Sequence, residues 1–500
     1  MFDFLTQWMS RRSHGLRVAV VTPVGPGHAA LYEECRTSVE RAWHAGRGPF
    51  SALDLIDVDD AGGRLGRSRA RNIGIDRAVG KGADWLFFLD ADDLMVEGAF
   101  EAMTALVADH DAVWGMILGL APGAAGAHLR IPQIVGMDRF DDLLLFDPFL
   151  TLQMGHFVRT PVAAALRFDE VLDAGEDFDY YLRVWAAYRC VKVPREFFIN
   201  RHARHSSGPR AATAADWGAA VRGRQQAERV QHRFDPDSAG ALELRDRRTA
   251  ELHRFCRLQG LVSAGDCAAL SQQMPFSGEI ELNEYQGGSL FLRAQGDDAI
   301  CARLAWTGEY QPFATALWQS LLANGGTVLD IGAGNGLYAL LAARVAAKTR
   351  IVCFEPAAAN AARLRVNIRR NGSDNIELIE TLPPDLDAHL NAGAIAGVTA
   401  VRIAGHDVLA VLRSVEKTLA ATRPDFLVEL PGNIAAAFTQ WMERHHYRCY
   451  VVDDGERELR RCDPARVPGA DAALLVLASP RSADELGKVA RNALGRRVAT

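Results

Sequence analysis

An apolar run over Trp85–Leu89 ends abruptly in Asp90, Ala91, Asp92 and Asp93, so a buried strand would deliver three carboxylates to one edge of a sheet. In open α/β sheets ligands bind outside the carboxyl ends of the strands. Oxygen ligands of this kind suit a hard cation such as Mn²⁺ or Mg²⁺, which can bridge to a diphosphate and neutralise a phosphate leaving group. Asp90 and Asp92 are the expected metal ligands, and a solvated acidic turn is the alternative. A second acidic group, Glu176 and Asp177, follows Gly175 and precedes Tyr181, Trp185 and Tyr188 at helical spacing. That pattern puts both carboxylates at a helix N-terminus, where they could serve a ligand or simply cap the helix. Further on, His202 and His205 lie beside Arg201 and Arg204 and could complete a metal site or contact phosphate, His205 being the metal candidate. His156 could line a pocket or sit on the surface.

A different chemistry is written into Val328-Leu329-Asp330-Ile331-Gly332-Ala333-Gly334-Asn335-Gly336, a strand running into a glycine-rich turn and then an alanine-rich helix. Glycines there let the backbone approach a ligand, and the helix start offers unpaired N–H groups. The spacing is GxGxG, not the pyrophosphate-binding GxGxxG. The next strand, IVCFEP, ends in Glu355, placed to accept hydrogen bonds from ribose hydroxyls. With Asp330 before the turn, the set favours S-adenosylmethionine over a nicotinamide dinucleotide.

Elements that must hold these groups recur in two series. From Leu16 to about His205, β-like runs (Val18–Thr22, Leu53–Val58, Trp85–Leu89) alternate with helical stretches, and a second alternation starts near Gly325. Between them the sequence is rich in Arg, Gln, Glu and Ala. The expected division is a first α/β domain over 15–210, a helical connector over 211–275 and a second α/β domain over 276–485, opened by a small meander in GEIELNEYQGGSLFLRAQGDD. A chain of 500 residues is long enough for two such cores. Its net charge of -6 argues against a nucleic-acid-coating protein and leaves the Arg457, Arg460, Arg461 run as solvated surface. The eight scattered cysteines contain no CxxC pair and read as reduced, mostly buried thiols. No segment supplies roughly 20 uninterrupted apolar residues. The N-terminus lacks the layout of a secretory signal; residues 1–14 read as a frayed surface helix, with a short amphipathic membrane contact as the alternative. The expected location is the cytoplasm, with peripheral attachment at the inner membrane face as a variant.

The stretch GRSRARNIGIDRAVGKGADWLFFLDADD resembles family 2 glycosyltransferases of GT-A fold, with Gly66, Ser68, Arg71, Asn72 and Gly74 at that family's motif positions. The likeness extends to VAVVTPVGPGH and to LDLIDVDD, whose Asp59 and Asp60 sit where the family contacts the nucleoside. It departs at Ala61-Gly62-Gly63, where the family has Asp-Gly-Ser. The resemblance implies a nucleotide-sugar donor, UDP-linked in expectation. It gives donor roles to Asp59, Asp60, Arg71, Asn72 and Asp90, and makes Asp177, supported by Glu176, the base that deprotonates a glycan or glycolipid-type acceptor.

Residues 295–480 resemble the FkbM methyltransferases, through GDDAI, GEYQPFATALWQSLLANGGTVLDIGAGNGLYALLAA, FEPAAANAARLRVNIRRNG and RPDFLVEL. Gly308, Glu309, Tyr310 and Pro312 match the approach to the cofactor strand, and Asn335, Tyr338, Asn367 and Asn371 match polar positions around it. That likeness implies a Rossmann-like class I fold binding adenosylmethionine through Asp330, Gly332, Gly334, Asn335, Gly336 and Glu355, and methyl transfer to a hydroxyl. The family's Asp-x-Glu-Gly segment reads Arg402-Ile403-Ala404-Gly405 here, followed by His406 and Asp407, which become the substitute catalytic candidates. Two outcomes stay open: a bifunctional enzyme that glycosylates and methylates, or a glycosyltransferase whose second half only binds a cofactor or partner. A first half that merely binds sugar is disfavoured, since Asp-x-Asp, Ala-Arg-Asn-x-Gly and Glu-Asp of the family's motif set all occur.

Overall fold

The computed structural model describes residues 15–201, 213–282, 289–294, 298–345, 349–393, 395–462 and 473–495. The chain divides into two compact units, Met1–Leu261 and Val262–Thr500.

In the first unit the strands are β1 (Leu16–Val24), β2 (Phe50–Asp59), β3 (Trp85–Phe88), β4 (Leu94–Met95), β5 (Ala112–Leu120), β6 (His128–Leu129), β7 (His156–Arg159) and β8 (Cys190–Arg201). They form one sheet in the order β2-β1-β3-β7-β5-β8-β4, with β6 on β5. The helices that bear on the site are α1 (Ala29–Ala45), α2 (Arg67–Gly80), α3 (Phe140–Leu145), α4 (Glu176–Ala187), α5 (Ala214–Gln231) and α6 (Ala239–Gln259).

β1 pairs in parallel with both β2 and β3, so the carboxyl ends of all three share one edge, and the strand order switches at β1. β3 carries Trp85, Leu86, Phe87 and Phe88, all fully buried, because it runs through the middle of the sheet with side chains covered on both faces. Burial of each such side chain contributes about 1.5–3 kcal/mol. α2 can lie directly on β1 because residue 74 is glycine: a Cβ there would come 2.2 Å from Val21 Cγ1. The aromatic packing of Phe50, Phe87, Phe100, Phe157 and Phe197 fills the layer beneath.

The stretch expected as a connector is helical and is fastened to the first unit. Gln225 donates to the carbonyls of Leu143 and Phe146 at the end of α3, and Arg248 of α6 holds the buried Asp142 carboxylate at 2.9 Å. Its Arg and Gln side chains cap carbonyls and neutralise a buried acid.

The second unit opens with the antiparallel pair β9 (Glu279–Leu282) and β10 (Leu290–Arg293), the described part of the expected meander. Its main sheet comprises β11 (Gly326–Ile331), β12 (Thr349–Phe354), β13 (Ile376–Ile379), β14 (Val398–Ile403), β15 (Asp425–Pro431), β16 (Arg448–Asp453), β17 (Glu458–Arg461) and β18 (Ala473–Ser479). The order is β13-β12-β11-β14-β15-β18-β16-β17, parallel from β13 to β15 and antiparallel beyond. The order reverses at β11, where α7 (Leu337–Ala343) begins after the glycine turn and α8 (Ala358–Arg370) follows β12. This is the Rossmann-like layout, and the first unit is the mixed α/β sheet of a GT-A-like domain. All eight cysteines are buried and unpaired. No helix among the described residues is long and apolar enough to cross a membrane.

Candidate functional site

A cavity of about 490 Å³ opens at the carboxyl ends of β1, β2 and β3. The acidic turn after β3 forms its floor. Oxygen atoms of Asp90, Asp92 and Asp93 all lie within 4.8 Å of one another. Burial, with Asp90 beside it, pushes the Asp92 carboxyl above its ordinary range; burial and the two neighbouring carboxylates push Asp93 well above it. Asp93 is occupied, accepting the Arg201 N–H at 3.0 Å and the Asn200 amide at 3.2 Å. Asp92, and Asp90 through the oxygen that Arg71 leaves open, are therefore the members that can face a ligand. An all-oxygen cluster with carboxyls driven towards protonation is one that a divalent cation would relieve, so these residues fit Mn²⁺ or Mg²⁺.

Arg71 sits beneath this cluster, 2% exposed. Its Nη2 donates to Asp90 at 2.7 Å and its Nη1 to Glu176 at 3.0 Å. Burial opposes the guanidinium charge, but Asp90 and Glu176 outweigh it and hold its pKa above the ordinary value. One cation thus ties the metal strand to α4, where Glu176 and Asp177 lie in the first turn behind Gly175, in the left-handed region at φ 73°. Asp177 Oδ1 accepts the Phe178 N–H at 2.7 Å. Burial and then the adjacent Glu176 push the Asp177 carboxyl up to about 7, against the pull of Arg71. A buried carboxylate poised there can exchange a proton near neutral pH. Neither Glu176 Oε2 nor the Tyr181 hydroxyl, both buried and both in residues of the cavity wall, has a hydrogen-bond partner among the described residues. Tyr181, read from spacing as core packing, also lines the site.

The remaining first-unit expectations divide. Asp60 lines the cavity, and its carboxylate accepts the N–H groups of Arg64, Leu65 and Gly66 at 2.8, 3.0 and 2.9 Å, shaping the loop that replaces the family's Asp-Gly-Ser. Asp59 is outside the wall and accepts the Ala61 N–H at 2.9 Å. Asn72 is also outside it: its amide exchanges 2.9 Å bonds with the N–H and carbonyl of Phe168 and reaches Glu170. Asn72 is therefore a positioning residue, not a donor contact. His156 is neither on the surface nor in the pocket; it is buried, stacked on Trp114 at 4.3 Å, and burial lowers its pKa to about 3. His202, Arg204 and His205 lie outside the described residues.

Sequence reasoning passed over His28, Arg130, Phe149 and Trp217, which all line the cavity. His28 precedes α1 and its charge acts on Asp92. The signal was present in VTPVGPGH, where a histidine closes a glycine turn after a buried strand. Trp217 comes from α5, in the supposed connector, and nothing in local sequence assigns it to this site.

The second unit gathers its candidates at the switch between β11 and β14. Gly332, Gly334 and Gly336 adopt φ of 78°, 60° and 89°. A Cβ on Gly332 would come 2.0 Å from the Ala404 carbonyl, and one on Gly336 would come 2.2 Å from Leu364, so these two are required by packing. Glu355 accepts the N–H groups of Gly334 at 2.7 Å and Ala357 at 3.0 Å, buried against the turn. Asp330 is fully buried and held by Arg402 at 3.0 Å; the other arm of that guanidinium reaches Glu429 at 2.9 Å, and its plane lies 4.3 Å from the Tyr338 ring centroid. Burial raises the Asp330 carboxyl and Arg402 opposes the rise. The substitution noted in the sequence is thus an internal ion pair at the cofactor strand.

Other expected positions in this unit do structural work. Asn335 bonds Asp298 and the Leu337 N–H, while Asn367 and Asn371 accept the N–H groups of Arg293 and Phe291 and pin β10 to α8. Asp407 accepts the Ala410 N–H at 3.1 Å as a helix cap, and His406 borders the Gly332 turn.

Comparison with known proteins agrees with this division. Residues 54–167 match the family model described as glycosyl transferase family 2. The curated protein-L-isoaspartate O-methyltransferase of Methanoregula boonei is 43% identical over 72 residues, 14% of this chain and 32% of that protein. The chain therefore spans about a third of the length of that curated relative. Among solved structures, S. aureus TarS 1–349 in complex with UDP-GlcNAc aligns over 52% of this chain and 82% of that one, at 14% identity and a TM-score of 0.34. The precorrin-6y C5,15-methyltransferase of Geobacter metallireducens aligns over 33% of this chain and 87% of that one, at 16% identity and a TM-score of 0.26. The likeness to glycosyl transferase family 2 thus covers residues 54–167, and the likeness to the curated methyltransferase covers 72 residues.

Proposed function

We propose that the first unit is a divalent-metal-dependent, inverting glycosyltransferase. The observation that carries this reading is a single cavity in which Asp90 and Asp92 lie beside Asp177, the latter pushed up to about 7. Bound between Asp90 and Asp92, Mn²⁺ or Mg²⁺ would neutralise the diphosphate of a nucleotide-sugar donor, expected to be UDP-linked. Asp60 and its loop face the nucleotide, and Arg71 fixes the position of Asp90 while holding Glu176. Asp177 takes the proton of the acceptor hydroxyl. The acceptor oxygen bonds to the anomeric carbon as the bond from that carbon to the phosphate oxygen breaks, with inversion, and the nucleoside diphosphate leaves. The acceptor is a glycan or glycolipid-type hydroxyl. Hydrolysis of a panel of nucleotide sugars with Mn²⁺ tests this reading: one donor should turn over, and Asp92→Ala should remove that turnover without loss of folding.

For the second unit the glycine cradle and Glu355 suit the adenosine portion of S-adenosylmethionine, and O-methylation of the glycan product is the reading that accompanies them. A second reading, a non-catalytic cofactor- or partner-binding module, is favoured by one observation: Arg402 places a fixed cation on Asp330, where the cationic sulfonium end of the cofactor would need a carboxylate. Titration calorimetry of the whole chain with adenosylmethionine, followed by a search for methylated product, separates them. Heat with turnover supports methylation, and heat without turnover supports the module.

A further inference from the structure

Two cations of the first unit, the fully buried Lys192 and the half-buried Arg130, have no carboxylate partner among the described residues. Arg130, in the loop after β6, donates from Nη1 to Gln153 Oε1 and from Nη2 to the Phe149 carbonyl, both at 3.0 Å. Its Nε is buried with no hydrogen-bond partner among the described residues. Lys192 of β8 is fully buried and donates to the Thr151 carbonyl. Burial lowers both pKa values, that of Arg130 to about 10, and the one charged group acting on Lys192 is Arg130 itself. Buried charges are ordinarily paired, and an uncompensated one costs several kcal/mol.

Arg130 lines the same cavity as Asp90, Asp92 and Asp177, yet none of those acids is among the groups that shift it. Its bonds to Gln153 and to the Phe149 carbonyl place it in a wall that Leu152, Met154 and Trp217 complete. Its position is set from behind. Gln133 donates to the Arg130 carbonyl at 2.7 Å and exchanges two 3.0 Å bonds with the Ile117 backbone. The Phe149 and Trp217 rings meet at 5.5 Å with their planes 49° apart, giving an angled apolar wall next to the guanidinium.

We propose that Arg130 is the anion-binding group of the acceptor subsite, taking a phosphate-type oxyanion attached to the acceptor while Phe149 and Trp217 cover its ring face. A guanidinium offers a phosphate paired donors that a neutral side chain lacks. The acceptor class is then an anionic sugar, such as a sugar phosphate, and not a neutral glycan. The inference rests on the reading of this cavity as a glycosyltransferase site, and the alternative source of the anion is the donor's own diphosphate.

Calorimetry on the full chain with Mn²⁺ distinguishes the two, using UDP, a hexose 6-phosphate and the neutral hexose as probes. The wild-type chain should bind the hexose phosphate at least ~10-fold more tightly than the hexose, and Arg130→Gln should weaken the phosphate by ~10-fold or more, consistent with loss of a charge-assisted bond. Arg130→Lys, which keeps the charge, should recover part of that loss, and UDP affinity should shift by less than about twofold in both variants. Hexose phosphate binding that is absent in the wild type or unchanged in Arg130→Gln overturns the proposal. A parallel loss of UDP affinity also overturns it and assigns Arg130 to the donor. Failure of the wild-type chain to bind UDP would instead count against the glycosyltransferase reading, with the phosphate arm still deciding the role of Arg130.

Discussion

Both units place a buried arginine between two carboxylates, and they differ in the acids left around it. In the first unit Arg71 bridges Asp90 and Glu176, but Asp92, Asp93 and Asp177 remain, each with a carboxyl raised above its ordinary range. In the second unit Arg402 bridges Asp330 and Glu429. A buried ion pair is by itself weak evidence for stability or chemistry. What remains unpaired around it is more telling: the first unit keeps excess anionic groups facing a cavity, whereas the second spends its cofactor-strand acid on an internal contact.

That contrast can be broken most directly at the metal floor. Asp92→Ala should reduce donor turnover by ~10³-fold or more while the far-UV spectrum and thermal midpoint persist, measured as nucleoside diphosphate release. Asp177→Asn should cost a similar or slightly smaller factor in kcat, ~10²–10⁴-fold, with UDP affinity retained. The wild-type rate should rise with pH through about 7 as Asp177 ionises, and the variant should lose that limb.

Stability should move the other way at this residue. Because the folded pKa of Asp177, about 7, lies above its unfolded value near 3.8, the folded chain binds the extra proton between those limits and loses stability as pH rises through them. Asp177→Asn should therefore raise the thermal midpoint at pH 8, with the gain disappearing below about pH 4. A variant that is less active and more stable at alkaline pH would mark a group held at a cost for its chemistry.

In the second unit the expected sign is reversed. Arg402→Met leaves Asp330 and Glu429 without their cation and should destabilise that unit by about 3–5 kcal/mol, read by chemical denaturation. A loss below about 1 kcal/mol would show the pair to be dispensable and would weaken the contrast drawn above. The smallest effect is expected at Asp407→Ala, which removes a helix cap worth about 1 kcal/mol. A large change in any methylation rate would show Asp407 to be more than a cap.

The sequence revealed those features whose signal is local. An apolar run ending in acids, a glycine turn after a strand, and an acidic pair before an aromatic stripe each occupy a few consecutive residues, and each becomes the element expected. The rest depends on partners far along the chain. Arg71 finds Glu176 across 105 positions, Asn72 finds Phe168 across 96, and Arg402 finds Asp330 across 72. No periodicity encodes such meetings, so neither the tether that Asn72 makes to Phe168 nor the bond that Arg402 makes to Asp330 is legible in the sequence. His156 shows the converse: polar chemistry suggested a site, but its ring is consumed by packing on Trp114. Trp217 enters the cavity because α5 packs beside α3, where Gln225 fastens it to the Leu143 and Phe146 carbonyls.

Arg71 and Asn72 are neighbours in one helix, and they hold different things: one grips the metal strand and the base helix, the other the chain segment that leads into that helix. Together they act as a gauge block between the two halves of the reaction. Loops such as 119–130 can change length or composition and admit new substrates while the separation of metal and base stays fixed. A single-residue insertion within α2, by contrast, would turn both side chains to another face and uncouple the halves without touching either. On the proposed reading, redirecting the first unit to other sugars is therefore a problem of walls, whereas the spacing of metal and base is set by one dipeptide.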